Sequence, residues 1–219
     1  TDLPEARYKI AIPAWHIENG NISEAQLEVV VYANQSFEVV FPDGRRRGFF
    51  VGDGTGVGKG REIAAVIYEN FLRGRKKAVW VSEKPGLMKD AERDLYGEQI
   101  DEATGKTKIT GIGWKKGAQL LFKAPGKKKD KNEIPQPQRI TKKEGILFTS
   151  YAALRGGFKD YRQDRRDQKN DIGIKINQIV DWLGEDFDGV IAFDESHNMR
   201  NAMPKAGARG KSEAVQQAL

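Results

Sequence analysis

The chain has no cysteine among its 219 residues, which excludes disulfides, thiolate zinc sites and cysteine nucleophiles. Its two histidines, His16 and His197, are too few for a histidine-rich metal site. No apolar stretch is long enough to span a bilayer. The opening Thr1-Asp2-Leu3-Pro4-Glu5 lacks a signal-peptide pattern. A cytoplasmic address is therefore the default expectation, with no membrane partner. No internal repeat is visible. The first residue is Thr rather than Met, as expected of a fragment or a processed product.

Hydrophobic residues make up 38% of the chain and charged residues 31%, a balance that suits a soluble globular domain with polar excursions. The net charge of +6 favours a polyanionic partner, because Lys and Arg gain affinity by releasing counterions from phosphates. Apolar runs alternate with helical patterns. Residues 1–21 read as an extended N-terminal arm. A helix follows from about Ser23, where Ser23 and Gln26 have the spacing of a capping box. The run Phe49-Phe50-Val51 predicts a strand and residues 63–72 a helix. Residues 78–82, 145–150 and 189–193 predict buried strands, and 87–95 and 175–183 amphipathic helices. Strands that are apolar throughout, alternating with helices, predict an α/β fold with a mainly parallel sheet and helices on both faces. Two basic stretches interrupt the pattern and read as insertions, at about 123–143 and 155–171. The second carries Phe158 and Tyr161, which could stack bases, although a solvated loop fits equally well.

The segment Asp53-Gly54-Thr55-Gly56-Val57-Gly58-Lys59-Gly60-Arg61 lies between the expected strand and the expected helix. Glycines let backbone amides approach phosphate oxygens, and the helix start adds its dipole and unsatisfied N–H groups. Lys59 would reach the β- and γ-phosphates. Against G-x-x-x-x-G-K-[ST] the segment departs twice: Asp53 replaces the first Gly, and Gly60 replaces the hydroxyl that holds Mg²⁺. In its absence Mg²⁺ must take a water, or a neighbour such as Thr55 must help. Downstream, the apolar strand ending Phe193-Asp194-Glu195-Ser196-His197 offers two carboxylates. Asp194 fits the Mg²⁺ ligand and Glu195 the residue that orients the attacking water.

The loop and the acidic box together resemble the first RecA-like domain of superfamily 2 helicases. More narrowly, the chain resembles the strawberry notch family and its bacterial and phage relatives, over roughly residues 22–201. The Gly56-to-Arg61 ending, Ile67-Tyr68-Glu69-Asn70 and Asp90-Ala91-Glu92-Arg93-Asp94-Leu95 recur there in similar form. The resemblance implies a RecA-like P-loop NTPase domain over residues 22–219, with ATP and Mg²⁺ as cofactors. It implies an ATPase of a DNA helicase or translocase, with RNA the less expected partner. It also implies that Gln26 lies near the adenine, that Lys59 and its glycines hold the triphosphate, and that Asp194 and Glu195 form the pair of a DExH box. Lys84, Thr149, Ser150 and Tyr151 fall at positions that touch nucleic-acid backbone, and His197 at one that couples the two activities. The chain ends soon after the acidic box. The Ser-Ala-Thr-type motif and the second RecA-like domain with its arginine fingers are therefore expected elsewhere in a larger machine, and turnover by the isolated chain is expected to be weak or absent. A phage or virion-associated setting follows from resemblance alone.

Two other readings stay open. One is a non-catalytic nucleotide- or nucleic-acid-binding module of a larger assembly. The other is a dinucleotide or S-adenosylmethionine site, which leaves Lys59 without a role and offers only Glu83 as the ribose-binding acid.

Overall fold

Ser23 caps a helix as its spacing to Gln26 predicts. In the computed structural model, Ser23 Oγ accepts from the Gln26 amide at 3.2 Å, and Gln26 Oε1 accepts from the Ser23 amide at 3.1 Å. The structure describes residues 4–53, 58–100, 107–109, 111–114, 120–124, 139–154 and 175–199. Four of the loop residues (Gly54, Thr55, Gly56 and Val57), residues 125–138 of the first insertion and the whole of the second lie outside the described residues. The chain forms two compact units, Thr1–Lys76 with Met88–Leu120, and Lys77–Leu87 with Leu121–Leu219. Among the described residues no helix is long and apolar enough to cross a membrane.

The first unit contains α1 (Trp15–Glu18), α2 (Glu24–Phe37), α3 (Lys59–Leu72) and α4 (Met88–Tyr96). A short antiparallel pair, β2 (Glu98–Ile100) with β3 (Thr107–Ile109), belongs to the same unit and was not foreseen from the sequence. α3 packs against both α2 and α4. Its buried side chains include Ala64, Ala65, Ile67 and Phe71, and Val30 and Ala33 of α2 and Ala91 and Leu95 of α4 are buried as well. Asn70 of α3 donates to Asn34 of α2 at 2.8 Å, so the polar pair in this interface is satisfied.

The N-terminal arm is held by one carboxylate. Glu69 of α3 is fully buried, and it accepts from the Ala11 amide at 2.8 Å, the Ile12 amide at 3.0 Å, the Tyr8 hydroxyl at 2.8 Å and Arg73 Nε at 3.0 Å. Burial, with the carboxylate beside it, pushes the Tyr8 phenol up to about 12. Gln35 of α2 adds a second anchor, taking the Arg7 amide at 2.7 Å. An extended segment with few backbone partners of its own is thus ordered by donating to side chains of two helices.

The expected strand Phe49-Phe50-Val51 is not formed among the described residues. Phe49 and Phe50 are 40% and 77% exposed. The backbone just before them is engaged elsewhere: the Ser36 hydroxyl donates to the Gly48 carbonyl at 2.9 Å, and the Arg47 amide donates to the Val39 carbonyl. A strand is defined by its ladder, and composition alone supplied none here.

The second unit is built on a parallel sheet in the order β4-β5-β1-β6: β4 (Leu121–Phe122), β5 (Gly145–Ser150), β1 (Lys77–Ser82) and β6 (Val190–Phe193). β5 is buried along its whole length and β1 from its second residue, as their unbroken apolar sequences require. One face carries Val79, Val81 and Leu147, packed with Phe122, Tyr151 and, from α5 (Lys175–Leu183), Ile179 and Trp182. Burying each such side chain is worth about 1.5–3 kcal/mol. The ends of the first insertion take part as well. Ile140 packs on this cluster, and the Trp182 indole donates to the Lys142 carbonyl at 2.7 Å.

Replacing Glu69 with Ala strips four donors of their acceptor. Melting of Glu69→Ala is expected about 5–15 °C below the parent, reflecting a loss of roughly 2–4 kcal/mol, with early proteolysis at residues 5–12. An unchanged melting temperature and cleavage pattern would contradict this role of Glu69.

Candidate nucleotide site

The amino end of α3 is shaped by what residues 58 and 60 lack. Gly58 caps the helix with a left-handed backbone, φ +96°, and adds no side chain of its own. A Cβ there would stand 2.7 Å from Gln26 Nε2, so the Gln26 side chain lies directly over the cap. A Cβ on Gly60 would stand well inside contact distance of Asp94 Oδ2, from α4. The chain thus brings Gln26, Gly58, Lys59, Gly60, Arg61 and Asp94 around one helix start. With its unsatisfied N–H groups and positive dipole end, a helix start of this kind suits an anion.

Charge is distributed sharply here. Lys59 Nζ donates to the Asp53 carbonyl at 3.0 Å, folding the ammonium back over the beginning of its own loop. Arg61 donates to the Asn21 carbonyl at 2.7 Å and lies 3.7 Å from Asp94 Oδ1. Burial lowers the Arg61 guanidinium and raises the Asp94 carboxyl, and the attraction between them opposes both shifts. Glu62, one helical step on, is 1% exposed, and neither carboxylate oxygen has a hydrogen-bond partner among the described residues. Burial pushes it up to about 7, the nearby Asp53 carboxylate adds to the rise, and Lys59 opposes it.

In the second unit, the carboxyl ends of β1, β5 and β6 converge on Asp194. The Asp194 amide donates to the Val81 carbonyl at 2.8 Å, continuing the ladder one residue past β6. Ser82 Oγ donates to Asp194 Oδ2 at 2.9 Å, and the Tyr151 hydroxyl donates to the Asp194 carbonyl at 2.8 Å. Side chain and backbone of this aspartate are therefore both fixed. Burial, followed by the charges of Asp194 and Glu195, raises the Tyr151 phenol to about 12. Glu195 adopts φ +52°, a left-handed conformation that a residue with a Cβ adopts at a cost. It turns the chain out of β6, and its carboxylate lies 3.2 Å from His197 Nδ1.

Of the residues matched to nucleic-acid contacts, Lys84 is exposed just beyond β1. Thr149, Ser150 and Tyr151 are buried at 8%, 2% and 7% exposure, their side chains inside the unit rather than on its surface. No group of three or more His, Asp or Glu able to hold a metal occurs among the described residues. An Mg²⁺ site would therefore draw on one or two carboxylates together with the nucleotide's own oxygens, the usual habit of this ion.

The family described as P-loop containing NTP hydrolase pore-1 matches residues 1–219. The chain belongs to this family. It is 37% identical over 206 residues to the protein strawberry notch homolog of Caenorhabditis elegans, covering 94% of this chain and 10% of that protein. It is 39% identical over 197 residues to protein strawberry notch of Drosophila melanogaster, covering 90% and 10%. With protein strawberry notch homolog 2 of Homo sapiens the identity is 42% over 199 residues, covering 91% and 12%. The chain thus spans about a tenth of the length of the curated relatives it matches. No solved structure matches it.

Sequence reasoning did not single out Asp94 beside Gly60, the buried Glu62 or Ser82 on Asp194. Only Gly60 signalled Asp94, since a glycine where a hydroxyl is expected says that something else fills the space.

The raised Glu62 predicts that the unit's stability depends on pH. Between its ordinary value of 4.5 and about 7, the folded chain keeps a proton that the unfolded chain has released, so stability falls as pH rises through that window. The melting temperature of Glu62→Gln should match the parent near pH 5 and exceed it by about 2–6 °C at pH 8. Parallel melting curves across this range would rule out a raised Glu62.

Proposed function

We propose that the chain binds and hydrolyses ATP as the first RecA-like domain of a DNA helicase- or translocase-like protein. The observation that supports this best is the amino end of α3, where a left-handed glycine cap puts Lys59 in the first turn of a helix whose start suits an anion, with the Gln26 amide beside the cap. Lys59 exchanges the Asp53 carbonyl for the β- and γ-phosphate oxygens. Gln26, held by its capping box, contacts the base. Gly54, Thr55, Gly56 and Val57 contribute backbone amides to the triphosphate.

Asp194 is the acid that holds Mg²⁺, its carboxylate kept in orientation by Ser82. When bound, this ion neutralises charge that develops on the phosphates. Glu195 orients the attacking water, and its left-handed backbone is the strain such a role would justify. His197, beside Glu195, links this acid to movement of the partner strand. Lys84 takes a backbone phosphate, and the net charge of +6 favours the same class of partner. DNA is the expected strand ahead of RNA, and the reaction is in-line attack of water on the γ-phosphate.

A non-catalytic nucleotide- or nucleic-acid-binding module of a larger assembly is the alternative. Turnover measured with and without single-stranded DNA separates the two. The proposal expects DNA to stimulate ATP hydrolysis and expects Glu195→Gln to lower it at least about a hundredfold with nucleotide affinity kept. Binding of nucleotide with no turnover under either condition would support the passive module.

A further inference from the structure

The pattern G-x-x-x-x-G-K-[ST] places a hydroxyl after the lysine, and this chain has Gly60 there. The structure shows what occupies that space. Asp94 comes from the neighbouring helix α4, and its Oδ2 stands where the side chain of residue 60 would begin. A serine or threonine at 60 could not be accommodated unless Asp94 withdrew. The departure at Gly60 and the presence of Asp94 are thus two sides of one exchange.

We propose that the Asp94 carboxylate replaces the missing hydroxyl and serves as an oxygen ligand to the divalent cation that accompanies the nucleotide. This rests on the reading of the α3 amino end as a nucleotide site. Three observations support it. Asp94 Oδ2 faces the residue directly after Lys59, where the hydroxyl of the general pattern would be. The other oxygen, Oδ1, is the one nearest the guanidinia of Arg61, at 3.7 Å, and Arg93, at 3.9 Å, so the carboxylate is held from one side and presented from the other. Its side chain is only 14% exposed, so little solvent competes for the oxygen that faces residue 60. A carboxylate is moreover a harder and stronger ligand than a hydroxyl for an ion that binds through oxygen.

The test measures metal dependence rather than turnover. ADP affinity is titrated by calorimetry at fixed nucleotide over a range of Mg²⁺, and Mn²⁺ binding is followed by its paramagnetic resonance. Asp94→Asn, read against its own metal-free ADP affinity, should raise the Mg²⁺ concentration needed for half-effect by about 10–100-fold. Gly60→Ser alone should lose metal-supported binding, because its side chain meets Asp94. The double variant Gly60→Ser with Asp94→Ala restores the ordinary pattern and should recover most of it. Failure of the double variant to recover, or a parental metal curve in Asp94→Asn with only its melting shifted, would reduce Asp94 to a structural partner of Arg61 and overturn the proposal. Should a variant not fold, the parent itself decides. In protein carrying carboxyl-labelled aspartate, Mn²⁺ with ADP should broaden the signal that Asp94→Glu removes, and an unbroadened signal would overturn the ligand role. No ADP binding by the parent, with or without metal, would instead count against the nucleotide site itself.

Discussion

Close approach at the first turn of α3 is the constraint on which the first unit depends. A helix start can receive phosphate only if no side chain blocks it, and here the gaps left by two glycines are used. Gln26 of α2 lies over Gly58, and Asp94 of α4 presses on Gly60. The two helices flanking α3 therefore supply one side chain each to its amino end. The packing of α2 and α4 against α3 sets their positions. Core packing and anion site are in this sense one arrangement, since a shift of either flanking helix would move a site residue.

α3 also carries two buried glutamates that differ in what surrounds them. Glu69 is surrounded by donors, two backbone amides, a phenol and a guanidinium, and it fastens the N-terminal arm. Glu62 has no such donors and lies near Asp53 and Lys59. A buried carboxyl that is satisfied is part of the framework, whereas one left unsatisfied beside a cationic side chain costs stability and calls for another explanation. The contrast within one helix is between a carboxyl surrounded by donors and one that, among the described residues, has none.

Local chemistry was the legible part of the sequence. The capping box at Ser23, the helix expected over 63–72 and the strands expected at 78–82, 145–150 and 189–193 all follow from nearest-neighbour spacing and unbroken apolar runs, and they form within a few residues of those bounds, as Lys59–Leu72, Lys77–Ser82, Gly145–Ser150 and Val190–Phe193. Phe49-Phe50-Val51 had the composition of a strand but no ladder, because pairing is a property of two segments and only one was in view. Asp94 over Gly60, Ser82 on Asp194 and Glu69 under the arm join residues 34, 112 and about 58 positions apart. Spacing along one segment carries no sign of such contacts. Tyr151 shows the same limit from the other side. Matched by position to a nucleic-acid surface, it lies inside the unit and holds the Asp194 carbonyl.

The central claim is that the amino end of α3 receives the phosphates of ATP. Calorimetric titration of the chain with ATP and Mg²⁺, beside the same titration of Lys59→Ala, tests it most directly. The account predicts saturable binding by the parent and a loss of at least about tenfold in affinity when the ammonium is removed. Binding that is equally strong in both proteins would place the nucleotide elsewhere and contradict it.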